Sequence, residues 1–328
     1  MANLGATEFT ELIASTLRKI EPELYDNVTK KHPTLDLLRN SQSSDTGRAL
    51  VVNLELGLND STQITDDSGT FSTDVSGDVI GAAEYQWSDP IVSSVRLRWK
   101  NLQMNQGPQQ QIDLMKTHIK NMEYSHSKKL VGMLHAMASA VENGAFHSFD
   151  EAVSDADYDT AESIEFGGID SSEQELWQGH RIEIAQDSGT SIRKAFRTVE
   201  NEVMVDTSNK NKIDAVIAGR DVFEEFVDSF DDKIRYTEFG EGQTAFREVK
   251  FGDLTVRLDP DCPAERAYFL DTSTWVFRSL AGNFMKTMEA QKIPGTLDWV
   301  TPIASVLAVG VNERRANAVL LRPETAST

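Results

Sequence analysis

The sequence of 328 residues has few cysteines, a minority of basic residues and no long apolar run. Its one cysteine, Cys262, excludes an intramolecular disulfide framework and a cysteine-rich zinc module. The longest apolar stretch, residues 303–311, is much shorter than the roughly 18 residues that a membrane-spanning helix needs. The first residues lack a basic start followed by an apolar run, so we expect no secretion signal and no membrane association.

Acidic residues outnumber basic ones. The 52 Asp and Glu residues against 32 Lys and Arg residues give a formal net charge of −20 at pH 7. This charge disfavours sequence-independent binding to the phosphates of DNA or RNA, which attract cationic surfaces. The chain is long enough for one large domain or two closely associated ones with a packed core, and 8% aromatic residues argue against disorder.

The familiar catalytic motifs are also missing. The phosphate loop G-x-x-x-x-G-K-[ST], the zinc helix H-E-x-x-H and the nucleophile elbow G-x-S-x-G do not occur. Residues 240–245 match the loose dinucleotide pattern G-x-G-x-x-A. No hydrophobic strand precedes them and no apolar helix follows, so we interpret them as a surface loop.

Patterns of metal ligands are incomplete. Residues 155–159 carry aspartates at the spacing of a calcium loop, but Thr160 replaces the glycine and Phe166 the bidentate glutamate. Three histidines in the middle of the chain are eight and nine residues apart, not the four that place two imidazoles on one metal. Cys262 lies in an acidic turn, which raises a thiol pKa. We therefore expect no catalytic, cofactor-binding or metal site.

Two segments with alternating apolar residues bracket a long polar stretch. A helical arm over residues 8–40 comes first, and strands are predicted over residues 50–58 and 91–99. The intervening residues are rich in Ser, Thr, Asp and Gly. So long an excursion from a compact domain usually serves a function. We interpret it as a long projecting hairpin; a disordered surface insertion is the alternative.

The clearest helix signal follows this excursion. Gly107-Pro108 is a suitable start, because proline is tolerated in the first helical turn, and Asn143-Gly144 supplies a stop. A helix of about 35 residues would be about 50 Å long, which is typical of a structural support rather than an ordinary globular helix. The residues expected to face the interior recur at helical spacing: Met115, Ile119, Met122, Leu130 and Met137.

The remainder mixes helices and strands. Residues 151–175 carry nine acidic side chains and no basic one, which indicates a solvated surface. Helices are predicted over residues 192–205 and 221–230, the second with Asp221 as its N-cap. Strands are predicted over residues 213–218, 254–258, 267–270, 275–277, 303–311 and 318–321. Because no regular βαβ alternation occurs, the predicted fold class is α+β.

Short phrases along this second half carry a resemblance. One is a glycine-bearing turn followed by a tryptophan: Phe166, Gly167, Gly168, Ile169, Asp170 and Trp177. Strand-rich phrases follow at residues 214–217, 251–256 and 268–272. In the order arm, β-excursion, long helix, acidic segment and mixed domain, the chain resembles the major capsid proteins of tailed bacteriophages, which have the Hong Kong 97-like fold. The resemblance covers nearly the whole chain, and the ordered set carries it.

The resemblance implies a domain organisation. Residues 1–50 would form an N-terminal arm, and residues 51–104 an extended loop. Residues 105–189 would form a peripheral domain with the spine helix, and residues 190–302 an axial domain. Residues 303–328 would form return strands and a C-terminal tail. The resemblance also implies the function of a structural protein that is not an enzyme and needs no cofactor. Such a protein self-assembles as hexamers and pentamers into an icosahedral shell that encloses phage double-stranded DNA.

The resemblance implies partners and a location as well. The chain would bind itself, a separate scaffolding protein, a portal and, as an optional addition, a decoration protein. It would enclose DNA without sequence-specific binding, as part of a virion assembled in the bacterial host cytoplasm. Two alternatives remain: an encapsulin-like cellular compartment, and an acidic α+β enzyme whose site is built from loops.

The extended loop has an unusual composition for a cross-linking element. Between Arg48 and Arg96 the sequence has eight carboxylates and neither lysine nor arginine. Some relatives of the fold join a loop lysine to an asparagine of a neighbouring subunit, a reaction that needs an amine. We therefore expect the loop to contact its neighbour without a covalent link, through apolar side chains at Phe71, Ile80 and Trp87.

Overall fold

The structure is a computed structural model that describes residues 32–40, 42–57, 80–100, 114–153, 165–172, 174–207, 213–229, 248–251, 254–289 and 291–323. The helices in these residues are α1 (Pro33–Asn40), α2 (Leu114–Leu134), α3 (Phe149–Val153), α4 (Ile192–Asp206) and α5 (Arg220–Asp228). The first strands are β1 (Gln42–Asp45), β2 (Ala49–Glu55), β3 (Ile80–Gln86), β4 (Ile91–Leu97), β5 (Glu165–Phe166), β6 (Ile169–Asp170), β7 (His180–Glu183) and β8 (Ala215–Ala218). The later strands are β9 (Glu248–Phe251), β10 (Leu254–Leu258), β11 (Arg266–Leu270), β12 (Trp275–Leu280), β13 (Lys286–Thr287), β14 (Gln291–Lys292), β15 (Trp299–Ser305), β16 (Leu307–Val311) and β17 (Ala318–Leu321).

A six-stranded mixed sheet contains most of the predicted second-half strands. Its order is β7-β17-β11-β8-β10-β9, with β8 parallel to β10 and β7 parallel to β17. Helices α4 and α5 contribute their apolar faces to the core beside this sheet, and the rings of Phe196 and Phe226 stack 4.7 Å apart. Helix α5 begins one residue earlier than predicted, and its N-cap is Gly219 rather than Asp221. A Cβ at Gly219 would collide with the Pro263 carbonyl, so only glycine fits there.

The predicted strand over residues 303–311 is wrong as a single element. It forms two strands, β15 and β16, that belong to different sheets. Between them, Val306 donates its N–H to the Asn283 carbonyl at 2.9 Å instead of extending a ladder. Strand β16 then pairs with β12, which in turn pairs with β1 in parallel.

The strands that form the hairpin also differ from the prediction. Strand β2 pairs in antiparallel register with β3, whereas β4 pairs with β15 in another sheet. The connection from β3 to β4 explains the divergence. Ser88 donates its N–H to Leu307, Asp89 donates its N–H to Gly144, and Pro90 has no N–H to donate. Hydrogen bonds that would continue the hairpin are therefore made elsewhere.

The long helix ends earlier than predicted, at Leu134, and residues 107–113, where it was expected to begin, lie outside the described residues. Helix α2 has 21 residues, about 30 Å at 1.5 Å per residue. Met137, which was predicted to face the interior on this helix, lies three residues beyond its end and is 39% exposed. The backbone N–H of Ala138 donates to the Asp150 carboxylate at 3.1 Å, which removes a donor that another helical turn would need. Asn143-Gly144 forms a separate turn.

The described residues divide into two compact units. The first unit consists of residues 92–100, 114–126, 285–289 and 291–304, and the second unit contains the other described residues. The six-stranded sheet and the β2–β3 hairpin belong to the second unit, and the sheet of β4, β13, β14 and β15 belongs almost wholly to the first. None of the helices in the described residues combines the length and apolarity required to cross a membrane.

Candidate assembly surfaces

The β2–β3 hairpin has one buried and one exposed face. Leu50 pairs with Tyr85 and Leu54 with Gly81, and the side chains of Leu50, Leu54, Ala83 and Tyr85 are buried. Successive residues of a strand point to opposite faces, so Val51 lies on the other face and is exposed. Apolar residues recur at alternate positions of β2 because one of its two faces is buried. The hairpin therefore rests on the second unit by one face and presents the other to solvent.

Tyr85 fastens the hairpin. Its hydroxyl donates to the Val311 carbonyl at 2.6 Å and accepts the Val311 N–H at 3.2 Å. Burial raises the pKa of Tyr85 far above its ordinary value, although the Val311 hydrogen bond and nearby Arg314 oppose the rise. The phenol is therefore neutral at physiological pH. Its ring covers Gly310, where a Cβ would approach Tyr85 Cε2 to 2.4 Å.

The three predicted loop contacts occupy different environments. Ile80, the first residue of β3, is 78% exposed. Trp87 is half-buried, and its indole N–H donates to the Gly47 carbonyl at 3.1 Å, so this side chain is tied to the base of the hairpin. Phe71 lies outside the described residues. Of the two that the structure describes, Ile80 is the exposed one.

The glycine-bearing turn joins β5 to β6. Gly167 and Gly168 have φ values of +63° and +77°, the left-handed region that a tight two-residue hairpin turn requires at both positions. The Gly167 carbonyl accepts the N–H of Glu84 at 2.9 Å, so the turn packs against β3. Ile169 and Asp170 are half-buried beside it. The sequence pattern indicated a turn here but not its contact with the extended hairpin.

Two further side chains fix this turn. Trp177 is buried and donates its indole N–H to the Phe166 carbonyl at 3.0 Å. Arg314, also buried, lies with its guanidinium carbon 5.1 Å from the centre of the Phe166 ring. Its nitrogens donate to the carbonyls of Trp177 at 3.0 Å, Ala152 at 3.0 Å and Glu151 at 3.2 Å. Sequence reasoning missed Arg314, because no local pattern distinguishes it from its partly buried neighbour Arg315.

The spine-helix residues are partly buried as a stripe. Met122 and Leu130 are buried, with His126 between them at the same four-residue spacing. Ile119 is half-buried, and the side chain of Met115 lies outside the described part of the helix. Helix α2 therefore presents a buried face at a period of about 3.6 residues.

The first unit exposes apolar and basic side chains together. Large apolar side chains that remain exposed there are Val92, Trp99, Met288, Leu297 and Trp299. Basic side chains on or just after β4 are also exposed: Arg96, Arg98 and Lys100. Among protein surfaces, aromatic residues and arginine are enriched where a partner binds. This combination distinguishes the first unit within a chain whose net charge is strongly negative.

Asp298 organises that surface. It accepts the backbone N–H of Trp99 and the Arg96 side chain, each at 3.0 Å. The Trp99 hydrogen bond, followed by that of Arg96, lowers the pKa of Asp298 below its usual value. A negative side chain therefore holds the end of β4 and one of its arginines in place.

A surface hollow and a buried cysteine in the described residues bear on the enzyme alternative. A hollow of about 530 Å³ beside β2 is lined by Glu55, Glu313, Arg315 and mostly neutral residues, and no histidine, cysteine or lysine lines it. Burial, followed by nearby Asp259, raises the pKa of the Cys262 thiol well above its ordinary value, which makes it a poor nucleophile. Residues 240–245 and 155–159 lie outside the described residues.

No protein-family model matches the sequence, and a search of curated proteins finds no match. Solved structures do match. The chain superposes on the cyanophage A-1(L) capsid asymmetric unit with a TM-score of 0.71 and 14% identity, over 93% of this chain and 96% of that one. The capsid of a native GTA particle superposes with a TM-score of 0.60 and 9% identity, over 98% of this chain and 100% of that one. The capsid of cyanophage P-SCSP1u superposes with a TM-score of 0.57 and 14% identity, over 92% of this chain and 91% of that one. Such low identities establish the fold alone, and the chain has the α+β Hong Kong 97-like fold of these capsid structures.

Proposed function

We propose that the chain is a major capsid protein that self-assembles as hexamers and pentamers into an icosahedral shell enclosing phage double-stranded DNA. The observation that carries the proposal is the extent of the structural likeness. It covers 93% of this chain and 96% of the cyanophage A-1(L) capsid chain, so the shell fold accounts for nearly all of the sequence. On this proposal the protein is structural and has no enzymatic activity.

Exposed apolar side chains support a role in assembly. In closed homo-oligomers, the residues at the interfaces between subunits are buried by neighbouring copies. The apolar and basic surface of the first unit and the exposed face of the β2–β3 hairpin are two surfaces suited to such contacts. We propose that Ile80 and Val51 contact a neighbouring subunit through the hairpin, and that Phe71 joins them.

The proposal includes the domain organisation and the partners. Residues 1–50 form the arm, 51–104 the extended loop, 105–189 the peripheral domain, 190–302 the axial domain, and 303–328 the return strands and tail. A scaffolding protein, a portal and an optional decoration protein are the expected partners in the host cytoplasm. The net charge of −20 fits a shell that confines DNA without binding its sequence.

Electron microscopy of the purified full-length chain tests the proposal. Negative-stain images should show closed shells, or hexamers and pentamers, and shells from infected cells should contain DNA protected from nuclease. Small globular particles under all conditions, including with added scaffolding protein, would reject it. Closed shells that hold protein cargo and no DNA would instead identify a cellular compartment.

A matched pair of substitutions tests the hairpin surface. Ile80→Asp places a charge on a side chain that is 78% exposed, and Val205→Asp does the same on α4, where Val205 is 80% exposed. Both subunits should fold, because neither side chain is buried. We expect Ile80→Asp to reduce shell yield at least tenfold while Val205→Asp assembles normally. Normal assembly of both variants would contradict a contact at Ile80.

A further inference from the structure

A buried polar cluster in the second unit joins the start of α1 to the loop after β10. His32 directly precedes α1, and Asp259 and Asp261 follow β10. One side-chain nitrogen or oxygen atom from each of the three lies within 4.8 Å of the others. His32 and Asp259 are buried, with 6% and 0% of their surfaces exposed, and Asp261 is partly buried. Three donor atoms thus converge on one small volume.

The contacts within the cluster are typical of ligands that share a cation. His32 Nδ1 lies 3.0 Å from Asp261 Oδ2. That carboxylate oxygen is inaccessible to solvent and accepts no hydrogen bond. A buried carboxylate oxygen without a donor is unfavourable unless a positive charge satisfies it. A metal ion held between an imidazole nitrogen and this oxygen would do so.

Histidines, and not lysine or arginine, pair with the aspartates of the cluster in the described part of the chain. Among the described residues, the ion-pair partners of the two aspartates are histidines, His32 for Asp261 and His135 for Asp259. Arg266 is close by but pairs with Asp150 at 2.5 Å. Two carboxylates that share a buried site repel each other unless a cation lies between them.

A second layer of residues orients Asp259. Its carboxylate accepts hydrogen bonds from the Thr34 hydroxyl and from the Asp261 N–H at 3.0 Å, and lies 3.5 Å from His135 Nε2. Burial raises the pKa of Asp259, but the hydrogen bonds from His135, Thr34 and Asp261 outweigh it and lower the pKa. Side chains that hydrogen-bond metal ligands in this way fix their orientation.

We propose that His32, Asp259 and Asp261 bind one divalent transition-metal ion, for which zinc is the best-suited species. A mixed set of one imidazole and two carboxylates suits zinc or manganese, whereas calcium and magnesium prefer oxygen ligands alone. Three protein ligands leave a position for water on the side where Asp261 is partly exposed. The ion would join the start of α1 to the loop after β10.

The distance in sequence explains why local patterns gave no sign of this site. His32 and Asp259 are 227 residues apart, whereas metal motifs are read from spacings within one helix or loop. The expectation of no metal site rested on such spacings. The inference does not depend on the proposed shell function, because it concerns the folded subunit alone.

Metal analysis of the full-length chain tests the site. The protein is stripped with EDTA, incubated with zinc, dialysed and analysed for bound metal, and its thermal midpoint is measured with zinc or magnesium. We expect one zinc per chain and a midpoint several degrees higher at about a hundredfold excess over the dissociation constant. Magnesium should have no such effect. Failure to retain zinc would overturn the proposal.

Substitutions locate the bound ion. His32→Gln and Asp261→Asn should each lower retained zinc at least tenfold and abolish the midpoint rise, while His118→Gln, at an exposed histidine of α2, should keep both. Circular dichroism of the metal-free variants checks their folding. If His32→Gln does not fold, Asp261→Asn tests the site alone, because the Asp261 side chain is partly exposed. Equal zinc retention by all three variants would overturn the assignment. A wild-type midpoint that zinc leaves unchanged would likewise overturn it.

The visible absorption of cobalt gives an independent readout. Cobalt replaces zinc in mixed nitrogen and oxygen sites, and its absorption intensity reports four-coordinate geometry. We expect an intense band in the wild-type chain and in His118→Gln. The band should be at least fivefold weaker in His32→Gln and in Asp261→Asn. A weak spectrum in the wild-type chain, unchanged by the substitutions, would contradict a built site.

Discussion

Single residues decide how the hairpin is attached to the rest of the second unit. The ring of Tyr85 covers Gly310, and its hydroxyl makes two hydrogen bonds to the backbone of Val311. The ring therefore cannot rotate away without breaking both bonds. Sequence alone did not indicate this contact, because Tyr85 and Val311 are 226 residues apart and neither belongs to a recognisable motif.

Gly310→Ala should destabilise the chain. The new Cβ would lie 2.4 Å from Tyr85 Cε2, and overpacking of this kind typically costs about 1–3 kcal/mol. Urea denaturation followed by circular dichroism measures the free energy of unfolding. A loss below about 0.5 kcal/mol would show that the ring moves aside with little strain.

Gly132→Ala is the matched control. Gly132 is an exposed residue of α2, and a Cβ there would meet no atom within 4 Å. Since alanine is favoured over glycine inside a helix, the substitution should stabilise the chain by about 0.5–1 kcal/mol. The two glycine substitutions are therefore expected to have opposite signs.

At the scale of elements, the spine helix shows what periodicity can and cannot predict. The spacing of Met122 and Leu130 identified a buried face because helical period is a local property of the sequence. The predicted end of the helix was wrong because the carboxylate of Asp150, which lies outside the helix, accepts the N–H of Ala138. Strand β3 also makes a contact that no local pattern indicates, because Glu84 donates its N–H to the Gly167 carbonyl at 2.9 Å.

Truncation of the buried stripe should destabilise the subunit. Met122→Ala and Leu130→Ala each remove a buried side chain and should cost about 2–5 kcal/mol. Lys128→Ala, at an exposed position of the same helix, should change the free energy of unfolding by less than about 0.5 kcal/mol. Urea denaturation of the three variants compares them. Equal effects would mean that the buried face of α2 has been misassigned.

His126 makes the stability of this helix depend on pH. It is buried, its Nδ1 lies 3.0 Å from Ser93 Oγ, and burial lowers its pKa from 6.5. The unfolded chain therefore takes up a proton at a higher pH than the folded chain does. The contribution of neutral His126 to stability is complete above about pH 6.5 and is lost as the pH falls towards the lower pKa of the folded state.

Replacement of His126 by glutamine should remove this part of the pH dependence. We expect the free energy of unfolding of the wild-type chain to fall between about pH 7.5 and about pH 5.5 more than that of His126→Gln. His118→Gln, at an exposed position of α2, should retain the wild-type slope. A slope that is the same in all three proteins would show that His126 is not the group responsible.

At the scale of the whole molecule, the order of elements was the most predictive feature. Identities of 14% or less to the matched capsid structures leave little residue-level signal, yet hairpin, long helix and mixed sheets follow one another in the described residues as the resemblance implied. What sequence could not provide were the long-range contacts. Arg314, Tyr85 and the cluster around Asp259 all join segments more than 100 residues apart. Their chemistry depends on the fold as a whole.

On the proposed function, the composition of the extended loop limits how assembled copies can be held together. Between Arg48 and Arg96 there is no amine side chain, while eight carboxylates are present: Glu55, Asp60, Asp66, Asp67, Asp74, Asp78, Glu84 and Asp89. A carboxamide on a neighbouring subunit therefore has no loop lysine to attack it. Contacts of the loop must be apolar, strand-to-strand or ionic, and exposed ion pairs contribute only about 0–1 kcal/mol each and weaken in salt.

Mature particles boiled in detergent should accordingly run as a single monomer band on a gel. Their stability at high salt should rest on many repeated weak contacts or on a separate cementing protein, so particles stripped of bound proteins should dissociate at lower salt than intact ones. The converse test introduces a lysine at Ile80, a residue of the extended loop that is 78% exposed. Ile80→Lys supplies an amine but should not create a cross-link unless an asparagine of the neighbour lies within reach. A ladder of covalent multimers from the wild-type chain would contradict the absence of cross-linking.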